Sequence, residues 1–318
     1  MSTPSPSFPE VSVIVPIYNG EKDIPDLIAC LEKQTYPRDR VEYLLVDNNS
    51  SDRTAELLDE LSDRARREGL PITVLSENKI QSSYAARNTA IRKARYSLLA
   101  FTDMDCRPIP EWLEELVKPF DKPEIGLVAG DIAALPGTTL LEKYADRHEF
   151  MAPKFLLQHS FCPYGQTANL AIRQEAFEKV GLFRPYLTTG GDADICWRIQ
   201  RETGWKLVYA PEARIYHRHR ATLKDFQSQL QRYGRSNRYL HELYGVELMR
   251  SFTAKDLVSG LTRWAIRDIP RNSLKIVLGK ADFLDLITAP IELFGFYSRS
   301  RGQATAKLPD RAREIERL

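Results

Sequence analysis

Cysteine is scarce in this 318-residue chain: its four copies, Cys30, Cys106, Cys162 and Cys196, stand far apart and form no CxxC pair. That excludes a disulfide scaffold and a cysteine-built zinc site, and makes a reducing compartment the expectation. Uninterrupted apolar runs are missing too. No stretch of 18 apolar residues exists, so no segment is expected to span a bilayer alone. The opening residues 1–9 are rich in Ser and Pro and lack the basic-then-apolar order of a secretion signal; they are expected to be disordered, in a cytoplasmic protein. Two nucleotide-binding signatures are also absent. A nicotinamide dehydrogenase would carry G-x-G-x-x-G after its first strand, where this chain reads PIYNGEKD. The Gly-rich, basic loop with which a nucleotidyltransferase would hold a triphosphate is missing from the same place.

The composition is 43% hydrophobic and 28% charged, which provides a sizeable core and excludes a wholly disordered chain. Net charge is only +2, yet it is unevenly spread. Residues 1–213 carry 25 Lys/Arg against 32 Asp/Glu, net −7, and residues 214–318 carry 20 against 11, net +9. A basic C-terminal third on an acidic body implies a surface that meets something anionic. Phospholipid, nucleotide phosphate and nucleic acid all fit that charge, but no recognisable nucleic-acid motif is present.

Short β-branched runs at 11–16, 41–47, 73–76 and 98–101 alternate with helical segments at 24–34, 52–68 and 82–95. That alternation predicts an α/β protein with a parallel sheet covered on both faces. A further strand is predicted at 126–134 and a short one at 207–209, with helices at 174–180 and 192–202. From residue 222 on the pattern is helical, at 222–243, 254–267 and 273–297, with a kink or break expected at Pro290. Three of the strands end in polar clusters: Tyr18-Asn19, Asp47-Asn48-Asn49 and Asp103-Met104-Asp105. Ligands of parallel sheets sit at those carboxyl ends.

Two carboxylates at i and i+2 past a strand end, as in Asp103-Met104-Asp105, can converge on one hard divalent cation. The bland alternative is a capped turn. Asp192 and Asp194 follow Gly190-Gly191 at the start of a predicted helix. There a carboxylate either interacts with the helix dipole as a cap or is presented to a pocket as a general base. Arg87 is a candidate phosphate ligand against a solvated role, and His217 or His219 a third metal ligand against a structural one.

Taken in order, VSVIVPIYNGEKDIPDLIACLEKQTYP, LLVDNNSSDRT, AARNTAI before the strand ending in DMD, GQTANLAIRQEAFEKVGLF, and GGDADICWRIQRETGWKLVYAPEARIYHRHR resemble the family 2 glycosyltransferases over roughly residues 10–235. The resemblance implies the GT-A fold, a Rossmann-like, mainly parallel sheet flanked by helices. It further implies that Pro16, Tyr18 and Asp47 flank a nucleobase and ribose, and that Arg87 lies near the base or pyrophosphate. Asp103 would be the nucleotide-side acid of a metal motif, Asp105 the direct ligand of Mn²⁺ or Mg²⁺, His217 a further ligand, and Asp192 the general base. Gln229-x-x-Arg232-Tyr233 resembles the Gln-x-x-Arg-Trp of processive members, with Tyr for Trp, and would contact acceptor or phosphate. No flanking membrane spans are evident, so a single transfer is expected. The family often has Glu where this chain has Gly191.

The implied reaction is inverting, metal-dependent transfer of one hexosyl group from a nucleotide-diphosphate sugar, UDP being the expected nucleotide, to a hydroxyl of a glycan or lipid-linked glycan. The alternative is an inactive sugar-nucleotide-binding or scaffold protein, for which Gly191 is the argument. The expected organisation is a catalytic domain over 10–221, a helical extension over 222–301 and a flexible tail over 302–318. Residues 271–301 are richer in apolar side chains than a solvated helix needs and have basic flanks. They are expected either to pack inside the protein or a homodimer, or to lie peripherally on the cytoplasmic membrane face.

Overall fold

The computed structural model describes residues 8–318; the expectation of disorder for residues 1–9 falls almost wholly outside them. The chain runs β1 (Val11–Ile17), α1 (Ile24–Glu32), β2 (Val41–Asp47), α2 (Thr54–Arg67), β3 (Ile72–Ser76), α3 (Ser83–Ile91), β4 (Leu98–Thr102), β5 (Cys106–Pro108), α4 (Trp112–Val117) and β6 (Ile125–Ala134). It continues as α5 (Leu140–Arg147), α6 (Lys154–Leu157), β7 (Asn169–Arg173), α7 (Gln174–Val180), α8 (Gly191–Thr203), β8 (Lys206–His217), α9 (Leu223–Tyr244), α10 (Ala254–Arg263), α11 (Ile269–Val277) and α12 (Phe283–Thr305). Two compact units result: residues 8–133 with 151–217 and 309–318, and residues 134–150 with 218–308.

The first unit is built on one sheet of order β3-β2-β1-β4-β7-β6-β8-β5. β1, β2 and β4 are buried along their whole length, as continuous apolar strands covered on both faces must be. β1 pairs in parallel with β2 and β4, and β2 with β3. The α/β class and the strand–helix alternation are as expected. Beyond β4 the sheet turns antiparallel, since β7 runs against β4 and β6, and β5 against β8. The strand expected at 207–209 extends to His217, with Ala213, Ile215 and His217 turned inward at period two.

The last residues correct the expectation of a flexible tail. α12 continues to Thr305, and residues 309–318 belong to the first unit. The Leu182 N–H donates to the Glu316 carbonyl at 2.8 Å. The Glu316 carboxylate accepts from Arg92 at 2.5 Å, and Arg184 donates to the Arg313 carbonyl. Gly181 makes this possible: at φ +82 it has no side chain, and a Cβ there would collide with Ile315.

In the second unit α9 and α12 pack at close range, because Gly234 and Gly302 remove the side chains that would strike the facing backbone. Leu141 and Tyr144 of α5 join Phe226, Leu230, Leu284 and Ile291 in one apolar cluster, so residues 134–150 belong here and not with the catalytic domain as expected. The helix expected over 273–297 is two helices. Gly279, at φ +67, ends α11, and Asp282 opens α12 with a capping box that Asp285 completes. Pro290 lies inside α12 and does not end it. Across α10, α11 and the single π-helical stretch between them, Trp264–Asp268, no residue is buried.

Candidate active site

Asp103 and Asp105 lie in the turn between β4 and β5. β5 pairs with the end of β8 so that Cys106 stands opposite His217, and this register brings His217 to the acid before Cys106. Its Nε2 lies 3.3 Å from Asp105 Oδ2, while its buried Nδ1 has no hydrogen-bond partner. Asp103 is engaged differently, accepting from Arg87 Nη2 of α3 at 2.5 Å, with the Arg87 side chain almost fully buried. Burial, with the neighbouring Asp105 and Asp103 charges, pushes the Cys106 thiol well above its ordinary pKa, so it takes no part as a thiolate.

No group of three His, Cys, Asp or Glu side chains among the described residues is arranged to hold a metal ion. The expected triad is thus divided into an Asp105–His217 pair and an Asp103–Arg87 pair. The first pair does fit a divalent cation. Two ligand atoms each about 2.1 Å from one ion and at right angles are about 3 Å apart, close to the observed 3.3 Å. Among the described residues no third side chain of these types is arranged with the pair.

Gly190, in the left-handed region at φ 84, turns the chain into α8. Asp192 is in the first turn, half-buried, and its Oδ1 accepts from Thr167 Oγ1 at 2.7 Å. Asp194 lies about 200° further round the helix and is wholly buried, accepting from Arg184 at 2.8 Å and Arg198 at 2.9 Å. The glycine-flanked acidic pair therefore splits into one carboxylate near the surface and one locked in the core. The Gly191 N–H donates to Tyr84 Oη at 2.9 Å. The Arg87 guanidinium lies 5.7 Å from the centre of the Tyr84 ring. One chain of contacts thus runs from Asp103 through Arg87 and Tyr84 to the residue before Asp192.

The other predicted residues line the ends of β1 and β2. Ile17 is paired with Asp47, Pro16 is buried and Tyr18 exposed. Asp47 accepts from the Ser50 N–H at 3.3 Å. The sequence reading missed what holds this rim in place. Asn48 Nδ2 donates to the Glu77 and Ile80 carbonyls at 2.7 and 2.9 Å. Burial acts to raise the Glu77 carboxyl, but hydrogen bonds from Thr89 and the Lys79 and Ile80 N–H groups outweigh it and hold it below its ordinary pKa. Thr167 and Tyr84 were missed as well. Gln229, Arg232 and Tyr233 stand on α9, in the second unit. There Gln229 Nε2 donates to Tyr233 Oη at 3.0 Å, and the Tyr233 ring stacks on Phe150.

The family model for glycosyl transferase family 2 matches residues 12–181, and that for glycosyl transferase family group 2 matches residues 98–293. Glycosyltransferase AglE of Haloferax volcanii is 34% identical over 206 residues, 64% of this chain and 65% of that protein. The pre-mycofactocin glycosyltransferase of Mycobacterium tuberculosis is 30% identical over 238 residues, 73% of this chain and 47% of that protein. The chain thus spans less than two thirds of the length of either relative. Among solved structures, mannosyltransferase PcManGT from Pyrobaculum calidifontis, in complex with GDP-Man and Mn²⁺, superposes with TM-score 0.63 at 18% identity over 94% of this chain and 88% of that one. S. aureus TarS 1-349 in complex with UDP gives 0.51 at 17% identity, over 93% and 91%. The fold is that of the GT-A glycosyltransferases. The chain belongs to glycosyl transferase family 2.

Proposed function

We propose that the protein transfers one sugar, with inversion and with a divalent cation, from a nucleotide-diphosphate sugar to a hydroxyl of a glycan or lipid-linked acceptor. UDP is the expected nucleotide. The observation that carries this reading is the run of contacts from Asp103 through Arg87 and Tyr84 to the helix start that bears Asp192, with the Asp105–His217 pair on the same turn as Asp103. A divalent ion held by Asp105 and His217 would neutralise the charge that develops on the leaving diphosphate. Asp103, fixed by Arg87, faces the nucleotide side. Asp192, oriented by Thr167, takes the proton of the acceptor hydroxyl as that oxygen attacks the anomeric carbon opposite the diphosphate. A single displacement needs no enzyme nucleophile and inverts the configuration. The reading of an inactive protein rested on Gly191. The Tyr84 ring fills the space a side chain there would take, so the glycine suits its surroundings and does not count against activity.

The reading is tested by thermal shift with UDP- and GDP-sugars, with and without Mn²⁺. A ligand at about 100 times its Kd stabilises the native state by about 2.7 kcal/mol. The expected result is a rise in melting midpoint that needs both sugar nucleotide and Mn²⁺, and that Asp105→Ala abolishes in a folded protein. Full transfer activity in excess EDTA would overturn the metal assignment.

The acceptor side of the proposal places the enzyme on an anionic membrane surface. No helix among the described residues is long and apolar enough to cross a membrane. The apolar surplus expected over 271–301 is resolved into two parts: Leu284 and Ile291 are buried in the α5–α9–α12 cluster, whereas Leu274, Val277, Leu278 and Phe283 are exposed, Val277 at 83%, as are Val258 and Ile266 before them. Over 255–285 the chain carries Lys255, Arg263, Arg267, Arg271, Lys275 and Lys280 against Asp256, Asp268, Asp282 and Asp285. Each basic residue near an anionic surface contributes about 1 kcal/mol, so this face suits reversible, salt-sensitive binding. Flotation with phosphatidylglycerol vesicles at low salt, and its loss at high salt, is the expected result. A protein that stays with the soluble fraction, or that buries this face in a dimer by sedimentation, defeats the membrane assignment.

A further inference from the structure

Helix α8 begins without a cap of its own. Gly190 has no side chain to accept the N–H groups of the first turn, which in an isolated helix remain unsatisfied. Tyr84 meets this need from another element: it accepts the Gly191 N–H at 2.9 Å. Its ring also occupies the space beside Gly191, where a Cβ would lie 2.5 to 2.7 Å from three ring carbons. Tyr84 is itself held from several sides. The Ser82 hydroxyl caps its N–H at 3.2 Å, and its ring stacks on Phe183 with centroids 5.6 Å apart. The Phe183 backbone is gripped by Asn88, one turn further along α3, which donates to the Phe183 carbonyl at 2.8 Å and accepts from its N–H at 3.1 Å.

We propose that Tyr84 is the positioning residue for Asp192. Its hydroxyl caps and its ring walls the first turn of α8, which fixes the carboxylate one residue on against the acceptor oxygen. The inference rests on the reading of Asp192 as the general base. It assigns to α3 a second task besides carrying Arg87: the same helix that holds Asp103 sets the position of Asp192. Misplacement of a catalytic group by about 1 Å can cost about 10²-fold in rate, and Tyr84 stands directly behind the turn where such a shift would arise.

The test uses the full chain and the variants Tyr84→Phe, Tyr84→Ala, Asp192→Asn and Tyr84→Phe with Asp192→Asn. Turnover is followed as release of nucleotide diphosphate, with Mn²⁺, from whichever of UDP-glucose, UDP-GlcNAc or GDP-mannose raises the melting midpoint most. Tyr84→Phe keeps the ring and its stacking, and is expected to lower kcat about ten-fold with the donor KM unchanged. Tyr84→Ala removes the wall too and is expected to cost about ten-fold more. Because the effect passes through Asp192, Tyr84→Phe has no further effect on kcat in the Asp192→Asn background. A role in stability alone would lower the melting midpoint and leave kcat per folded molecule unchanged in Tyr84→Phe, which would overturn the proposal. So would a loss confined to the donor KM, or a ten-fold fall that persists when Asp192 is already gone. If Tyr84→Ala fails to fold, the Phe variant alone decides. Wild-type kcat in Asp192→Asn would instead overturn the base assignment, whatever Tyr84→Phe does.

Discussion

Asp192→Asn is expected to lower turnover by about 10²–10⁴-fold, the usual worth of a positioned general base, with donor affinity nearly unchanged. Asparagine keeps the size of the side chain and can still accept from Thr167 Oγ1, which bonds the native carboxylate at 2.7 Å. What it loses is the capacity to take a proton. An acceptor hydroxyl then attacks with its proton still in place, and the barrier rises in the chemical step alone. Steady-state turnover together with donor binding by thermal shift separates the two quantities. A variant whose donor affinity collapsed in proportion to its turnover would place Asp192 on the nucleotide and not on the acceptor.

Asp194→Ala is expected to show the opposite pattern. Asp194 is completely buried and its two oxygens are shared between Arg184 and Arg198. Arg198 also donates to the Val180, Gly181 and Leu182 carbonyls, so the pair ties α8 to the turn after α7. Removing one member of a buried ion pair strands the other charge and costs about 3–5 kcal/mol. In a unit of this size that is a fall in melting midpoint on the order of 10 °C. Calorimetry or thermal shift on the purified variant reads the loss directly. Turnover per folded molecule at low temperature should stay within a few-fold of the wild type. A variant as stable as the wild type but inactive would exchange the roles of the two acids.

Much of this was legible in the sequence, for identifiable reasons. β1, β2 and β4 are covered on both faces, so they read as unbroken β-branched runs. The polar residues that follow them could only mark their carboxyl ends. The different surroundings of Asp192 and Asp194 follow from helix geometry, which sets them on different faces. β8 reads as only three residues in the sequence because Pro211, Glu212 and Arg214 interrupt its apolar pattern. Its inward row of Ala213, Ile215 and His217 is the period-two signal that would have found it. β5 is three residues long, too short for any periodicity. It is nonetheless the strand whose register brings His217 beside Asp105. The separation of Asp103 from Asp105, one held by an arginine and the other by a histidine, depends on contacts from α3 and β8. No spacing within Asp103-Met104-Asp105 encodes it. Tyr84 was equally invisible, since its partner is a backbone N–H 107 residues away.

The return of residues 309–318 to the first unit bears on how that unit is made. Leu182, Arg184, Asn88 and Arg92 all take partners from these last residues. On the ribosome those groups emerge early, while stretch 218–308 must still be synthesised. At about 5–20 residues per second that takes several seconds. The contacts that these four residues make can therefore form only after stretch 218–308 has been made and the chain has come back to the first unit.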